Sequence, residues 1–465
     1  MNGKQLTLSS GAWLLARYPK REEWHTDEYA MVHGTVTGAV AQIQSLPCIP
    51  DIKSPRKDAR TPLVSMQDLT GPIKVCTDYA DTREHITASP HLKLVDSPDE
   101  ADFLLVLKQI SNFNASSLNQ FVAQFPYEGG FVRKDLLPLT VRKCCYKDGE
   151  APFWWLPCFD VSTEFHLLYK EYNHRRESNQ DNWWILKPSQ GCRGQGHKVV
   201  YSSSNTESSL SEIAQHCSPF DNENSSDKVA QLLVQRPLLA LGRKFDLRLF
   251  VVVRSFCPLE AYVHNVFYAR LANKPYNTDE LSSSEVAITI NAYDADESVA
   301  SKQERLKFDE LRNVLLHEAW GLSAADVDTP RYAERLEWWN KIVSSVQQCL
   351  RDLFGGVAPT IGSWPLSRAY YAVDVMLDNG AATCSEVEGE SVPVPVPKLV
   401  EVNYMGDWHG MEGALRVRDA KHEIDDYEEV VAPDYSDYDY SRWCQDILEA
   451  LMTPIDIDAT VFTRL

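Results

Sequence analysis

The strongest constraint on the fold lies in one run, Gly242-Arg-Lys-Phe-Asp-Leu-Arg-Leu-Phe-Val-Val-Val253. Its β-branched and aromatic content reads as a strand. Alternation then puts Lys244, Asp246 and Arg248 on one face, with Phe245 and Leu247 on the other. Charges of mixed sign on one strand face are costly to bury unless they pair with each other or with a ligand. The chain must therefore solvate this face at a sheet edge, or build a polar site over it.

The surroundings of this run set the fold class. Ile73-Lys-Val-Cys-Thr77 and Phe103-Leu-Leu-Val-Leu107 are short apolar runs separated by helix-compatible stretches, the texture of an α/β unit. Further strands are expected at Trp183 to Lys187, Gln231 to Gln235, Leu247 to Val253, Tyr370 to Leu377 and Lys398 to Asn403. Residues 302 to 354 read as helical, with Ile342, Val346, Leu350 and Leu353 on one face. The Val-Pro repeat from Ser391 to Pro397 cannot form a central strand and is expected to be a surface hairpin extension. Ser441 is placed to cap a final amphipathic helix carrying Trp443, Ile447, Leu448 and Leu451 on one face. Residues 1 to 70 have no assignable fold.

Composition excludes some functions. The 465 residues carry a formal charge of −20, which argues against a nucleic-acid binder, because phosphate neutralisation needs a cationic surface. Eleven scattered cysteines without a C-x-x-C pair indicate a reducing compartment and no zinc ribbon. No long apolar window suggests a membrane span, so a cytoplasmic protein is expected.

Two other signals accompany the charged strand. Lys187-Pro-Ser-Gln190-Gly191-Cys-Arg193-Gly194-Gln-Gly196 follows an apolar strand, and such a loop lets backbone N–H groups approach phosphate while the lysine neutralises charge. It is not a Walker loop, and alone it reads more readily as a plain surface turn than as a phosphate site. Asp374 lies inside one apolar strand, and Glu401-Val-Asn403 ends another. Two carboxylates and an amide oxygen are the hard donors Mg²⁺ accepts when it also holds phosphates. A lone strand aspartate is more often a hydrogen-bonded structural residue, and it is the order of the pieces that points to a site.

The order of these pieces resembles the ATP-grasp enzymes, and within them the tubulin tyrosine ligase-like family. Phe125-Pro126, Arg133-Lys134-Asp135, Trp184-Ile-Leu-Lys187-Pro, Gln235, Gly242 to Arg248, Val266-Phe-Tyr-Ala-Arg270, Asp374 and Glu401-Val-Asn403 carry the resemblance. It covers about four fifths of the chain, from residue 73 onward. Gln124-Phe-Pro, Ser367-Arg-Ala-Tyr-Tyr-Ala-Val-Asp374 and the terminal Thr-Arg-Leu bring it nearest to one branch of that family.

The resemblance implies an ATP-grasp fold of the α/β (α+β) class. Its subdomains would be N-terminal (71–140), central (141–238) and C-terminal (239–465). It implies an ATP- and Mg²⁺-dependent ligase that adds a free amino acid to the acidic tails of tubulin or microtubules through an acyl phosphate. Neither nucleic acid nor membrane is an expected partner, and a cytoskeletal location follows. Lys134, Lys187, Gln190, Gly191, Arg193, Gly194 and Gly196 would contact the nucleotide. Gln235, Arg236 and Leu238 would line the adenine edge, where Leu238 still has an N–H to offer beside Pro237. Lys244, Asp246, Arg248 and Arg270 would hold the acceptor carboxylate, the acyl phosphate and the incoming amino acid, with Lys244 and Asp246 also near the nucleotide. Asp374, Glu401 and Asn403 would carry Mg²⁺.

The chain departs from the family where a His-Leu-Thr-Asn element is replaced by Ala287-Ile-Thr289-Ile, with Asn291 nearby. That leaves glutamate and tyrosine both open as the ligated amino acid, with glutamate the family's commoner choice. It also leaves open a catalytically inactive scaffold that binds tubulin or nucleotide. His197, just after the loop, reads as a capping or surface residue.

Overall fold

The computed structural model describes residues 71–107, 120–180, 182–189, 196–201, 213–214, 228–289, 304–322, 326, 329–361, 364–387, 390–406, 438–455 and 461–465. The lead-in 1–70, the loop positions Gln190, Gly191, Arg193 and Gly194, Asn291, and the acidic stretch up to residue 437 lie outside them.

Among the described residues three sheets form the frame. The first is wholly parallel, in the order β2-β1-β3-β4, from β1 (Ile73–Thr77), β2 (Leu92–Leu94), β3 (Phe103–Leu105) and β4 (Phe121–Val122). Helix α1 (Arg83–Ala88) connects β1 to β2. Helix α2 (Leu137–Cys144) follows this sheet. The second sheet is antiparallel, in the order β5-β8-β6-β7. It contains β5 (Cys158–Asp160), β6 (Trp183–Pro188), β7 (Lys198–Tyr201) and β8 (Lys228–Leu232), and helix α3 (Val161–Glu177) links β5 to β6. The strand expected at Gln231 to Gln235 thus begins and ends earlier. Its register is decided by its partners, since β6 pairs with it from Pro188↔Lys228 to Trp184↔Leu232.

The third sheet is organised around β10 (Arg243–Phe256). Short β9 (Leu239–Ala240) precedes it, and β11 (Leu259–His264) and β12 (Tyr268–Leu271) follow. The rest of the sheet is β13 (Arg305–Lys307), β14 (Ala369–Val387), β15 (Glu390–Tyr404) and β16 (Phe462–Arg464). On one side β10 meets β14, and on the other β12 and then β11. A solvated sheet edge is therefore excluded for the charged face of β10. Lys244, Asp246 and Arg248 are all buried.

Between β13 and β14 run helix α4 (Phe308–Trp320), closed by Gly321 in the left-handed region, and helix α5 (Pro330–Ile361). The expected apolar face of α5 is buried at Ile342, Val346, Leu350 and Leu353. The Val-Pro repeat belongs to the hairpin of β14 and β15, which is longer than the two short strands expected there. β15 pairs with β14 alone among the described residues, so its prolines sit on an edge strand where a missing N–H breaks no second ladder.

The last helix, α6 (Trp443–Met452), buries Trp443, Ile447, Leu448 and Leu451 as expected. Its lead-in is capped by Asp439 rather than Ser441. The Asp439 carboxylate accepts from the Ser441 N–H and hydroxyl at 3.0 and 2.6 Å. Among the described residues no helix is long and apolar enough to cross a membrane.

Candidate active site

Strand register assembles the site. Asp246 stands opposite Arg270, Arg248 opposite Asp374, and Asp374 opposite Glu401, so β12, β10, β14 and β15 each bring charge to one face. Opposed residues on neighbouring antiparallel strands point the same way and lie within reach of each other.

Contacts follow from this. The Arg270 guanidinium donates to both Asp246 oxygens at 2.7 Å and approaches Asp374 at 2.8 Å. Arg248 grips Asp374 through Nε and Nη2, the latter at 2.9 Å. Burial raises the Asp374 pKa, with Arg248 and Arg270 opposing that rise. The Thr289 hydroxyl donates to Asp246 at 2.5 Å, so part of the substituted element at 287–290 still serves the site.

Glu401 and Asn403 lie beside Asp374. The Asn403 amide donates to Glu401 at 3.1 Å and reaches Asp374 at 3.5 Å. Lys134 approaches Glu401 at 3.5 Å. Burial alone would raise the Glu401 pKa, but the Lys134 and Lys187 charges, with smaller help from the Asn403 hydrogen bond, hold it well below the carboxylate range.

Two lysines complete the cluster, and among the described residues neither forms an ion pair. Lys187 Nζ donates to the Gln231 side-chain oxygen at 2.6 Å and to Val400 O at 3.4 Å, and Gln231 in turn donates to the Leu399 and Val400 carbonyls at 3.4 Å. Lys244 Nζ has the Val234 carbonyl at 3.3 Å. Burial lowers the pKa of both, and that of Lys244 to about 7, with the Lys187 charge adding to the shift. Among the described residues of this cluster Lys187, Lys244, Arg248 and Arg270 meet Asp246, Asp374 and Glu401, so buried positive charge is in excess. A buried excess of positive charge calls for an anion.

A cavity adjoins the cluster. Lys187, Lys244, Asp246, Thr289 and Glu401 line it at one end, with Leu156, Ile185, Leu232, Leu233, Ile288 and Met376 as its apolar wall. An apolar wall beside buried ammonium groups fits a base joined to phosphates.

The segment Gln235 to Leu238 departs from expectation. The cavity wall is formed by Leu232 to Val234, one step earlier in the chain. The Leu238 N–H already donates to Leu377 O at 2.8 Å, and the Arg236 carbonyl accepts from Asn379 and Gly380. The Tyr276 hydroxyl bonds the Gln235 carbonyl. Gly380 has no room for a β-carbon against Arg236, which explains the close approach of β14.

Sequence reasoning also missed Gln231 and His197 as site residues. Gln231 shows no local signal beyond alternation in its strand. His197, read from sequence as a capping or surface residue, is half-buried and lines the cavity. Gly196, expected at the phosphates, has φ +70° with Pro188 packed against it, and it forms the turn into β7.

The donor set suits a divalent cation in part. Glu401 and the Asn403 oxygen are hard ligands beside the lysines, as Mg²⁺ needs when phosphates and water fill its remaining positions. Asp374 is already held by two arginines. Among the described residues no group of three His, Cys, Asp or Glu side chains is placed to hold a metal on its own.

Comparison with known proteins gives the lineage. The mouse protein named tubulin–tyrosine ligase-like protein 12 is 26% identical over 350 residues, covering 72% of this chain and 48% of the relative. The human protein of the same name is 27% identical over 350 residues with the same coverage. A Caenorhabditis elegans protein named "Probable tubulin polyglutamylase ttll-9" is 32% identical over 185 residues, 37% of this chain and 41% of the relative. The chain spans about half the length of these two ligase-like relatives. The profile of the tubulin-tyrosine ligase family matches residues 112–410, which takes in every described site residue above, and the chain belongs to that family.

Proposed function

We propose that this chain is an ATP- and Mg²⁺-dependent carboxylate–amine ligase that adds an amino acid to the acidic tails of tubulin. The observation that carries this reading is the buried excess of cations, Lys187 and Lys244 above all, beside an apolar slot. The three sheets serve on this reading as N-terminal (71–140), central (141–238) and C-terminal (239–465) subdomains around the cleft.

The chemistry makes an anion beside anions, so its barrier is set by charge. Bound ATP with Mg²⁺ would supply the γ-phosphoryl group for an acyl phosphate on the acceptor carboxylate, with ADP as the leaving group. Lys187 and Lys244 neutralise the polyphosphate. Glu401 and Asn403 are the residues to hold the cation, with Lys134 fixing the Glu401 carboxylate. Arg248 and Arg270 sit where an acceptor carboxylate can replace part of their bonding to Asp374, and Asp246 with Thr289 keeps Arg270 oriented. The amine then attacks the acyl carbon, phosphate leaves, and the amine proton is lost as the amide forms. Glutamate is the amino acid we favour, in keeping with the polyglutamylase name of one relative.

Incorporation of labelled glutamate and tyrosine into tubulin tests this, with Glu401→Gln as the control. Glutamate incorporation by the wild type that falls at least ~100-fold in the variant supports the ligase. Equal incorporation by the two proteins sinks it. The second reading, a catalytically inactive scaffold that binds tubulin or nucleotide, is favoured by one observation: both arginines already have carboxylate partners. ATP-induced thermal stabilisation without incorporation would select it.

A further inference from the structure

Among the described residues that line the cavity, His197 holds a polar atom that is buried with no hydrogen-bond partner, its Nδ1. Such a group costs stability in the free protein, and one that faces a cavity is placed to bond whatever enters it.

Its position is set by the hairpin of β6 and β7. Leu186 pairs with Lys198, so one step further along the ladder His197 stands opposite Lys187. Opposed residues share a face, which turns both side chains to the cavity. Gly196 turns the chain just before it, with Pro188 Cγ 3.0 Å from where a β-carbon would sit.

The surroundings identify what the ring can bind. Burial, then the Lys187 charge, lowers the His197 pKa to about 3, with Glu401 opposing and Lys134 adding to the shift. The imidazole is therefore neutral and can donate one N–H without enlarging the positive charge of the cluster. The charges acting on it belong to the phosphate end of the cavity. The apolar slot formed by Leu232, Leu233 and Ile288 takes the base.

We propose that His197 is a nucleotide-binding residue that donates from Nδ1 to a phosphate oxygen of a nucleoside triphosphate, beside Lys187. This inference rests on the nucleotide-site reading above.

The test is calorimetric titration of the full chain with ATP and, separately, with adenosine. In His197→Leu the ATP Kd rises about tenfold while the adenosine Kd is unchanged, and His197→Gln, which keeps an amide donor, recovers most of the loss. A merely structural role would move both ligands together. His197→Ala is titrated alongside, so one misfolded variant leaves the readout intact. Wild-type ATP affinity in both His197→Leu and His197→Ala, or equal losses for ATP and adenosine, overturns this inference and leaves the nucleotide site standing. A wild-type protein that binds no ATP overturns the nucleotide site itself, and the inference with it.

Discussion

Lys244 is the residue whose chemistry depends most on its surroundings. It is wholly buried, and burial together with the nearby Lys187 charge lowers its pKa to about 7, against Asp246 and Asp378. Between pH 7 and the ordinary lysine value, the native chain has released a proton that the unfolded chain still holds, so stability without ligand rises with pH across that window. Polyphosphate binding favours the charged form and has the opposite pH dependence. ATP affinity is therefore expected to fall as pH rises from 7 to 9, by up to about tenfold per unit. Lys244→Met should bind weakly with little pH dependence, and calorimetric titration across this range checks both. A wild-type affinity that is flat in pH would exclude Lys244 from the phosphate site. The residue types at 244, 246 and 248 were legible as one face of a strand. That Arg248 would bond Asp374, 126 positions away, was not, because cross-strand neighbours are set by pairing between distant segments.

Periodicity revealed the elements better than it revealed their ends. The apolar face of α6 is real, and Trp443 is its anchor: fully buried, edge-on to Phe250 at 4.5 Å, and donating from its indole N–H to Val266 O at 2.9 Å. Trp443→Ala should cost about 3–5 kcal/mol, with the lost hydrogen bond adding to the cavity. Chemical denaturation followed by fluorescence measures this, and a loss below about 1 kcal/mol would mean that α6 is not part of the cooperative core. Gly406 shows the same packing from the other side. A β-carbon there would lie 2.4 Å from that of Ala372 and 2.7 Å from the Phe250 ring. The boundaries of β8, β14 and β15 were misjudged because a strand ends where its partner ends. The prolines of β15 marked an edge strand correctly, yet did not show that β14 would extend to Val387 beside it.

At the scale of the molecule, the net charge of −20 sets a repulsive mean field for any acidic partner, while the cluster around Lys134, Lys187, Lys244, Arg248 and Arg270 is locally attractive. On the ligase reading, capture of a tubulin tail must come from the local cleft. Anisotropy titration of a labelled glutamate-rich peptide should show affinity falling several-fold as salt is raised from about 50 to about 300 mM. Affinity that rises with salt would mean that the mean field governs instead. Sequence by itself determined the strands, the buried face of α5, the charged strand and the set of residue types from which a phosphate and metal site can be built. These depend on local alternation, on 3.6-residue periodicity and on side-chain chemistry, all of which are written in short windows. The tertiary structure alone decided that the charged face is interior, that Asp374 is held by two arginines, that Lys187 and Lys244 bond amide and carbonyl oxygens rather than a carboxylate among the described residues, and that His197 faces the cavity. Each of those is a matter of which distant strands lie side by side and how much water they exclude, and no short window of sequence contains either.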